Sequence, residues 1–231
     1  YKENGYLGLL SYDKNNNDLL FCTKSMIGGE YSEHFKDLFY KLDCDKDVAL
    51  AKVKDGYTLL FEVIDPEFDP HIISYEKPEL CLLDIVKNNM DSHFEDYLAV
   101  QQLACRIGCT YKTPATQITS ARDLIDFVDG VQNETANLPL DHEGYVLEDA
   151  NGYRVKLKTP YYLKWKKLRG MLPSIKKHGK LMDTSMLHNP EMIYFYDFAR
   201  QLYEQDSENQ MNILQLRKLF YQEYKDVLNC K

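Results

Sequence analysis

Two short apolar, β-prone runs open the chain, at residues 5–12 and 18–24, and the polar segment Asp13-Lys14-Asn15-Asn16-Asn17-Asp18 joins them. That pattern predicts a β hairpin. Residues 48–54 and 57–64 flank Asp55-Gly56, a dipeptide suited to a tight two-residue turn, so a second hairpin is expected there. Residues 71–75 and 79–86 read as two further short strands, punctuated by Pro66, Pro70 and Pro78. The period then changes. From Ser92 to Ile107, apolar residues fall at Phe94, Leu98, Val100, Leu103, Ala104 and Ile107, close to the spacing of one helix face. Ser120 is placed to cap a second helix, with Leu124, Ile125 and Val128 on its inner face. Strands return at 144–148 and 153–157, around the turn Asp149-Ala150-Asn151-Gly152. Residues 160–169 are expected to start a helix, with Pro160 in its first turn, and two more helices are expected over 190–205 and 212–228. An antiparallel sheet core with inserted and appended helices is an α+β arrangement.

At 231 residues the chain can bury one sizeable core, or a catalytic domain with a small appended one. No apolar run approaches the roughly 20 residues that span a bilayer, and no basic start followed by an apolar stretch marks a secretory signal. An intracellular monomer without membrane contact is therefore expected. The chain begins at Tyr1 rather than Met, and a front segment is expected to be missing. Six cysteines, at 22, 44, 81, 105, 109 and 230, form no Cys-x-x-Cys pair and read as reduced thiols. The net charge of −8 argues against a protein that coats nucleic acid with its whole surface. Its distribution says something different. Between Arg154 and Lys180 lie ten Lys and Arg residues and no Asp or Glu. Holding like charges close costs electrostatic free energy, which a phosphate-rich partner would offset. A solvated basic helix face is the plainer alternative.

Three short segments can carry chemistry. Lys2-Glu3-Asn4-Gly5 precedes the first hairpin, and by itself reads as a loop lysine before a turn. Glu143-Gly144-Tyr145-Val146 opens one strand of the later hairpin, and Val155-Lys156-Leu157-Lys158 lies on the other. Alternation puts Lys156 and Lys158 on one face, about 6–7 Å apart. Two ammonium groups so placed repel one another unless an anion sits between them.

Taken in order, these segments resemble the collinear motifs of the covalent nucleotidyltransferases: DNA ligases, RNA ligases and capping enzymes. Lys2-Glu3-Asn4-Gly5 is similar to the first motif. The strand Tyr57-Thr58-Leu59-Leu60-Phe61-Glu62-Val63-Ile64 resembles the third, 143–146 the fourth and Lys156-Leu157-Lys158 the fifth. Finer detail resembles RNA ligases of the phage RNA ligase 1 and fungal tRNA ligase type. It comprises Phe61-Glu62-Val63-Ile64-Asp65-Pro66, then Ile72-Ile73-Ser74-Tyr75, the segment Phe21-Cys22-Thr23-Lys24-Ser25, and Pro160-Tyr161-Tyr162 with Trp165 after the fifth motif. Asn4 departs from the usual Asp and points to the tRNA-ligase side or to a weakened enzyme.

The resemblance implies a nucleotidyltransferase (adenylation) core over 1–170 and a helical extension over 171–231. It implies ATP and Mg²⁺ (or Mn²⁺) as cofactors and RNA 5′-phosphate and 3′-hydroxyl ends, tRNA among them, as substrate. Lys2 would form a lysyl–AMP intermediate, pass AMP to the 5′-phosphate, and the 3′-hydroxyl would then displace it. Lys156 and Lys158 would hold the α-phosphate. Glu143 would bind the metal. Glu62 would accept from the ribose hydroxyls, with Asn4, Gly5, Lys24, Tyr75 and Tyr162 also at the nucleotide. Trp165 is expected in the core rather than as a platform for a base. The competing readings are a weakened nucleotide- or RNA-binding relic and a GTP-using capping-type enzyme.

Overall fold

A computed structural model of the chain describes residues 1–90, 94–135, 141–180, 185, 187 and 189–224. They fall into two compact units. The first comprises Tyr1–Asp69, Tyr75–Ile118 and Gly144–Leu157; the second comprises Pro70–Ser74, Thr119–Glu143 and Lys158–Lys231. The fold is α+β with a sheet that is mostly antiparallel, as expected.

The first unit is built on five strands: β1 (Tyr6–Asp13), β2 (Asp18–Thr23), β3 (Tyr57–Ile64), β4 (Glu79–Lys87) and the short β5 (Thr110–Tyr111). Their order is β2-β1-β3-β4-β5, and only β5 runs parallel to its neighbour. Three helices, α1 (Glu30–Lys41), α2 (Lys46–Lys54) and α3 (Tyr97–Ile107), pack on one face. Alternation sends Leu10, Phe21, Leu59, Phe61 and Val63 into that core, where they meet Phe35, Leu38 and Phe39 of α1 and Val100 and Ala104 of α3. The opposite face carries Leu7, Leu9, Leu60 and Glu62, since Leu7 pairs with Glu62 and Leu9 with Leu60. A register shift between Leu60 and Phe61 pairs Leu60 with Asp84 but Phe61 with Leu82. Such a bulge re-aims side chains. Here it keeps Ile85 in the core and turns Asp84 to the Glu62 face.

The first hairpin forms as the sequence predicts, and β3, β4, β6 (Gly144–Glu148) and β7 (Arg154–Lys158) lie close to their expected places. The second expected hairpin does not form. Residues 48–54 belong to α2, whose first turn is capped by the Asp45 carboxylate accepting from the Val48 N–H. Ala49 and Val53, four apart, are its buried face. Gly56, at φ 82°, donates its N–H to the Val53 carbonyl, so Asp55-Gly56 ends a helix instead of turning a hairpin. Residues 71–75 make no strand. The sequence reading also passes over α1, whose Phe35, Leu38 and Phe39 carry helical spacing between flanking polar residues. The helix expected from Ser92 is observed from Tyr97, with 91–93 outside the described residues.

The second unit holds α4 (Ala121–Gln132), α5 (Pro160–His178), α6 (Pro190–Gln205) and α7 (Ile213–Glu223). Ser120 caps α4 as expected, by accepting from the Asp123 N–H. The predicted inner face is corrected: Leu124 and Ile125 are exposed, and only Val131 of this helix is buried. Thr159 caps α5 with Pro160 in its first turn, and the helix that 160–169 start as expected runs on to His178. Trp165 is in the core, edge-on to Phe195, which in turn meets Phe220 of α7. The last expected turn, to 228, runs into residues outside the described ones, as does Cys230; the other five cysteines are free thiols. Among the described residues no helix is long and apolar enough to cross a membrane.

At Gly8, β1 lies tight against Phe35 of α1 and Val63 of β3. A Cβ there would stand 2.7 Å from Val63 Cγ2 and 2.8 Å from the Phe35 ring. Gly8→Ala is expected to lower stability by about 1–3 kcal/mol, read from the urea midpoint, and Phe35→Leu in the same chain to recover part of the loss.

Candidate active site

In the first unit, Lys2-Glu3-Asn4-Gly5 leads into β1 and is fastened to three distant segments. The Gly5 N–H donates to Glu62 Oε1 at 2.8 Å. This requires glycine, because a Cβ at residue 5 would lie 2.1 Å from the Val63 carbonyl oxygen. The Asn4 N–H donates to the Tyr75 hydroxyl at 2.8 Å, and that hydroxyl donates to Glu3 Oε2 at 2.9 Å. Burial, with the Glu3 charge second, pushes the Tyr75 phenol well above its ordinary range and keeps it a donor. The Lys2 N–H donates to the Gly144 carbonyl at 2.9 Å, an antiparallel bridge to the start of β6. Lys2 Nζ donates to the Glu3 carbonyl at 3.2 Å. Residues of the first, third and fourth expected motifs and of the Tyr75 segment thus meet through bonds donated by the main-chain N–H groups of residues 2, 4 and 5.

The hairpin β6–β7 is held by charge. Arg154 of β7 makes a two-pronged contact with Asp84, at 2.6 and 2.9 Å, and its Nε reaches Glu148 of β6 at 2.9 Å. Lys112 adds a third bond to Asp84 at 2.8 Å, and the guanidinium lies 4.0 Å over the Phe94 ring. Asp84 is only 5% exposed, so its charge is neutralised by two cations in place of water. Lys156, on the same strand, is exposed and has no hydrogen bond or ion pair among the described residues. Sequence reasoning missed Glu3, Asp84 and Arg154. Arg154 appeared in it only as one of ten cations, and nothing local marks a carboxylate that a bulge will redirect.

In the second unit, Glu143 is 3% exposed, and its Oε1 lies 2.9 Å from Lys158 Nζ. The Lys158 ammonium stands 4.5 Å over the Tyr162 ring. Burial acts to lower the Lys158 pKa, but the hydrogen bond and charge of Glu143 outweigh it and hold it above the ordinary lysine range. Thr159 sets this geometry: its hydroxyl donates to the His142 carbonyl, its N–H to the Glu143 carbonyl, and it caps α5 ahead of Tyr162. Among the described residues no group of three or more His, Cys, Asp or Glu is poised around one point. A single carboxylate nonetheless suits Mg²⁺, which commonly binds one or two carboxylates plus waters and phosphate oxygens.

Lys24 is exposed, without a hydrogen bond or ion pair among the described residues, at the rim of a trough on the sheet. The basic stretch is not one uniform patch. Arg154 and Lys158 are bound as above, Lys164 pairs with Glu191 at 2.6 Å, and Lys176 donates to the Asn209 carbonyl. Lys166, Lys167, Lys177 and Lys180 stay exposed.

A family model described as RNA ligase matches residues 1–162. No curated protein matches the chain. Among solved structures, the chain is similar to the “Putative ATP-dependent DNA ligase from Aquifex aeolicus”, with a TM-score of 0.53 and 16% identity, covering 98% of this chain and 58% of that one. It is also similar to an archaeal ATP-dependent RNA ligase, with a TM-score of 0.56 and 13% identity, covering 90% of this chain and 52% of that one. The chain thus spans little more than half the length of either structure, and at these identities the likeness concerns the fold.

Removing Lys158 takes a directly bonded cation from the buried Glu143 carboxylate. Lys158→Met is expected to cost about 3–5 kcal/mol, and Glu143→Gln with Lys158→Met to regain most of it. Because the Lys158 pKa is raised on folding, the pair's contribution is complete at neutral pH and is lost only as pH climbs past the lysine range. Urea melts at pH 7 and above pH 10.5 would check both.

Proposed function

The chain belongs to the RNA ligase family, and we propose that it is an ATP-dependent ligase that joins RNA 5′-phosphate and 3′-hydroxyl ends through AMP carried on Lys2. One observation carries this reading: the Gly5 N–H on the Glu62 carboxylate and the Lys2 N–H on the Gly144 carbonyl bring three separate motifs to one place, with the main chain of the first motif as donor in both. The family type favoured is that of phage RNA ligase 1 and fungal tRNA ligases, on the strength of Tyr75 closing on Asn4 and Glu3.

In this reading the unprotonated Lys2 amine attacks the α-phosphorus of ATP. A P–N bond forms, the bond to the β-phosphate oxygen breaks, pyrophosphate leaves, and the amine proton passes to solvent. Neighbouring cations favour the neutral amine, as lysine nucleophiles require. The exposed Lys156 offers its ammonium to phosphate oxygens, and Lys158 does so next to Glu143. Glu62 holds the ribose hydroxyls, while Asn4 and Gly5 keep the nucleophile's loop against β3 and Tyr75 secures that loop. Tyr162 keeps Lys158 in place through its ring. Glu143 is the carboxylate to hold Mg²⁺, which when bound neutralises phosphate charge. The AMP next moves to the RNA 5′-phosphate oxygen, which displaces Lys2, and the 3′-hydroxyl then displaces AMP to close the strand. The exposed lysines of α5 contact the RNA backbone.

Lys2→Arg keeps the charge but cannot carry AMP. It is expected to abolish joining from ATP while still sealing a donor strand supplied already adenylated. Loss of both reactions would make Lys2 a binding residue, and joining driven by GTP but not ATP would favour the capping-type reading. For the basic helix, Lys166→Gln with Lys167→Gln is expected to weaken RNA binding at low salt and to lower the salt slope by about 1.4, the share of two phosphate contacts on a single strand. An unchanged slope would remove α5 from the RNA path.

A further inference from the structure

The Glu62 face of the sheet carries a trough of about 390 Å³ on β1, β2 and β3. Its floor includes Leu9 and Leu20. Leu9 follows Leu7, the partner of Glu62, on the same face of β1, so the trough starts about 7 Å from the Glu62 row. The turn after β2 closes one side: the Thr23 N–H donates to the Met26 carbonyl, and Ile27 bridges back to Cys22. This leaves Met26 and Ile27 as exposed apolar walls, 59% and 79% accessible.

The polar lining is one-sided. It offers one cation, Lys24, four hydroxyls and no carboxylate, in a chain of net charge −8. The hydroxyls can be assigned. Thr58 donates to Asn88 Oδ1 at 3.0 Å, so Ser11, at 2.8 Å from Thr58, must donate to it. A hydroxyl has one proton, and Ser11 Oγ is therefore left as an acceptor at the trough. An apolar floor, an ammonium and a hydrogen-bond acceptor match the base, the phosphate and a ribose hydroxyl of a nucleotide.

We propose that this trough holds the terminal nucleotide of the RNA strand that supplies the 3′-hydroxyl, with its base on Leu9 and Leu20, its phosphate at Lys24 and its 2′-hydroxyl donating to Ser11. The inference rests on the ligase reading above and adds a place for the second strand and a means of distinguishing RNA from DNA. It also moves Lys24 from the ATP to the RNA.

Ile27 is exposed enough to change without disturbing the fold, so it can set the charge of the trough. With the full chain and a labelled oligoribonucleotide ending in a 3′-hydroxyl, fluorescence anisotropy should show about tenfold weaker binding for Ile27→Asp than for Ile27→Lys. A 2′-deoxy terminal nucleotide should bind several-fold more weakly than the ribonucleotide, and Ser11→Ala should erase that difference. Labelling of Lys2 from α-labelled ATP should be the same in both Ile27 variants. Equal RNA affinity in the two would overturn the proposal. So would loss of Lys2 labelling in Ile27→Asp with RNA binding unchanged, which would assign the trough to ATP. If the unaltered chain takes no label at all, the ligase reading fails, and the anisotropy comparison still judges the trough.

Discussion

The first unit depends on how closely the backbone at Gly5 approaches β3. With any side chain at residue 5, a carbon would fall 2.1 Å from the Val63 carbonyl oxygen, and the hydrogen bond to Glu62 would be lost with the displacement. The approach is possible only for glycine, and it holds the preceding three residues beside Glu62 of β3. There the Lys2 main chain meets Gly144, and Tyr75 closes over Asn4 and Glu3. For the proposed role of Lys2 this matters, because a nucleophile on a long, flexible side chain gains precision when the backbone beneath it is fixed at several points.

Charge supplies the second level of order. The acid-free stretch from Arg154 onward has the sign of a nucleic-acid contact, but its members do different work. Arg154 ties the β6–β7 hairpin to Asp84 of the main sheet, and Lys158 neutralises buried Glu143. Buried ion pairs of this kind contribute little net stability against an apolar alternative, but losing either partner is costly. They therefore specify where Lys156 and Lys158 stand, and the exposed lysines of α5 are the ones proposed to meet the RNA backbone.

Much of this was legible in the sequence where local chemistry decides the outcome. The first hairpin, the cap at Ser120, Pro160 in the first turn of its helix, and the motif order from Lys2 to Lys158 rest on short-range signals. The failures have physical causes. Asp55-Gly56 is equally suited to a turn and to a helix stop, and the Asp45 cap upstream tipped residues 48–54 into α2. Leu124 and Ile125 have inner-face spacing yet remain exposed, because periodicity states which residues share a face and not whether the face is covered. Asp84 and Glu3 act through partners 70 and 72 residues away, a separation no local pattern records.

The central claim is that Lys2 is the residue to which AMP becomes joined. Peptide mass mapping after incubation with ATP and Mg²⁺ tests it most directly. The account predicts the added mass of one AMP on the N-terminal peptide, localised by fragmentation to Lys2. AMP on Lys156, Lys158 or Lys24 instead, with Lys2 unmodified, would contradict it.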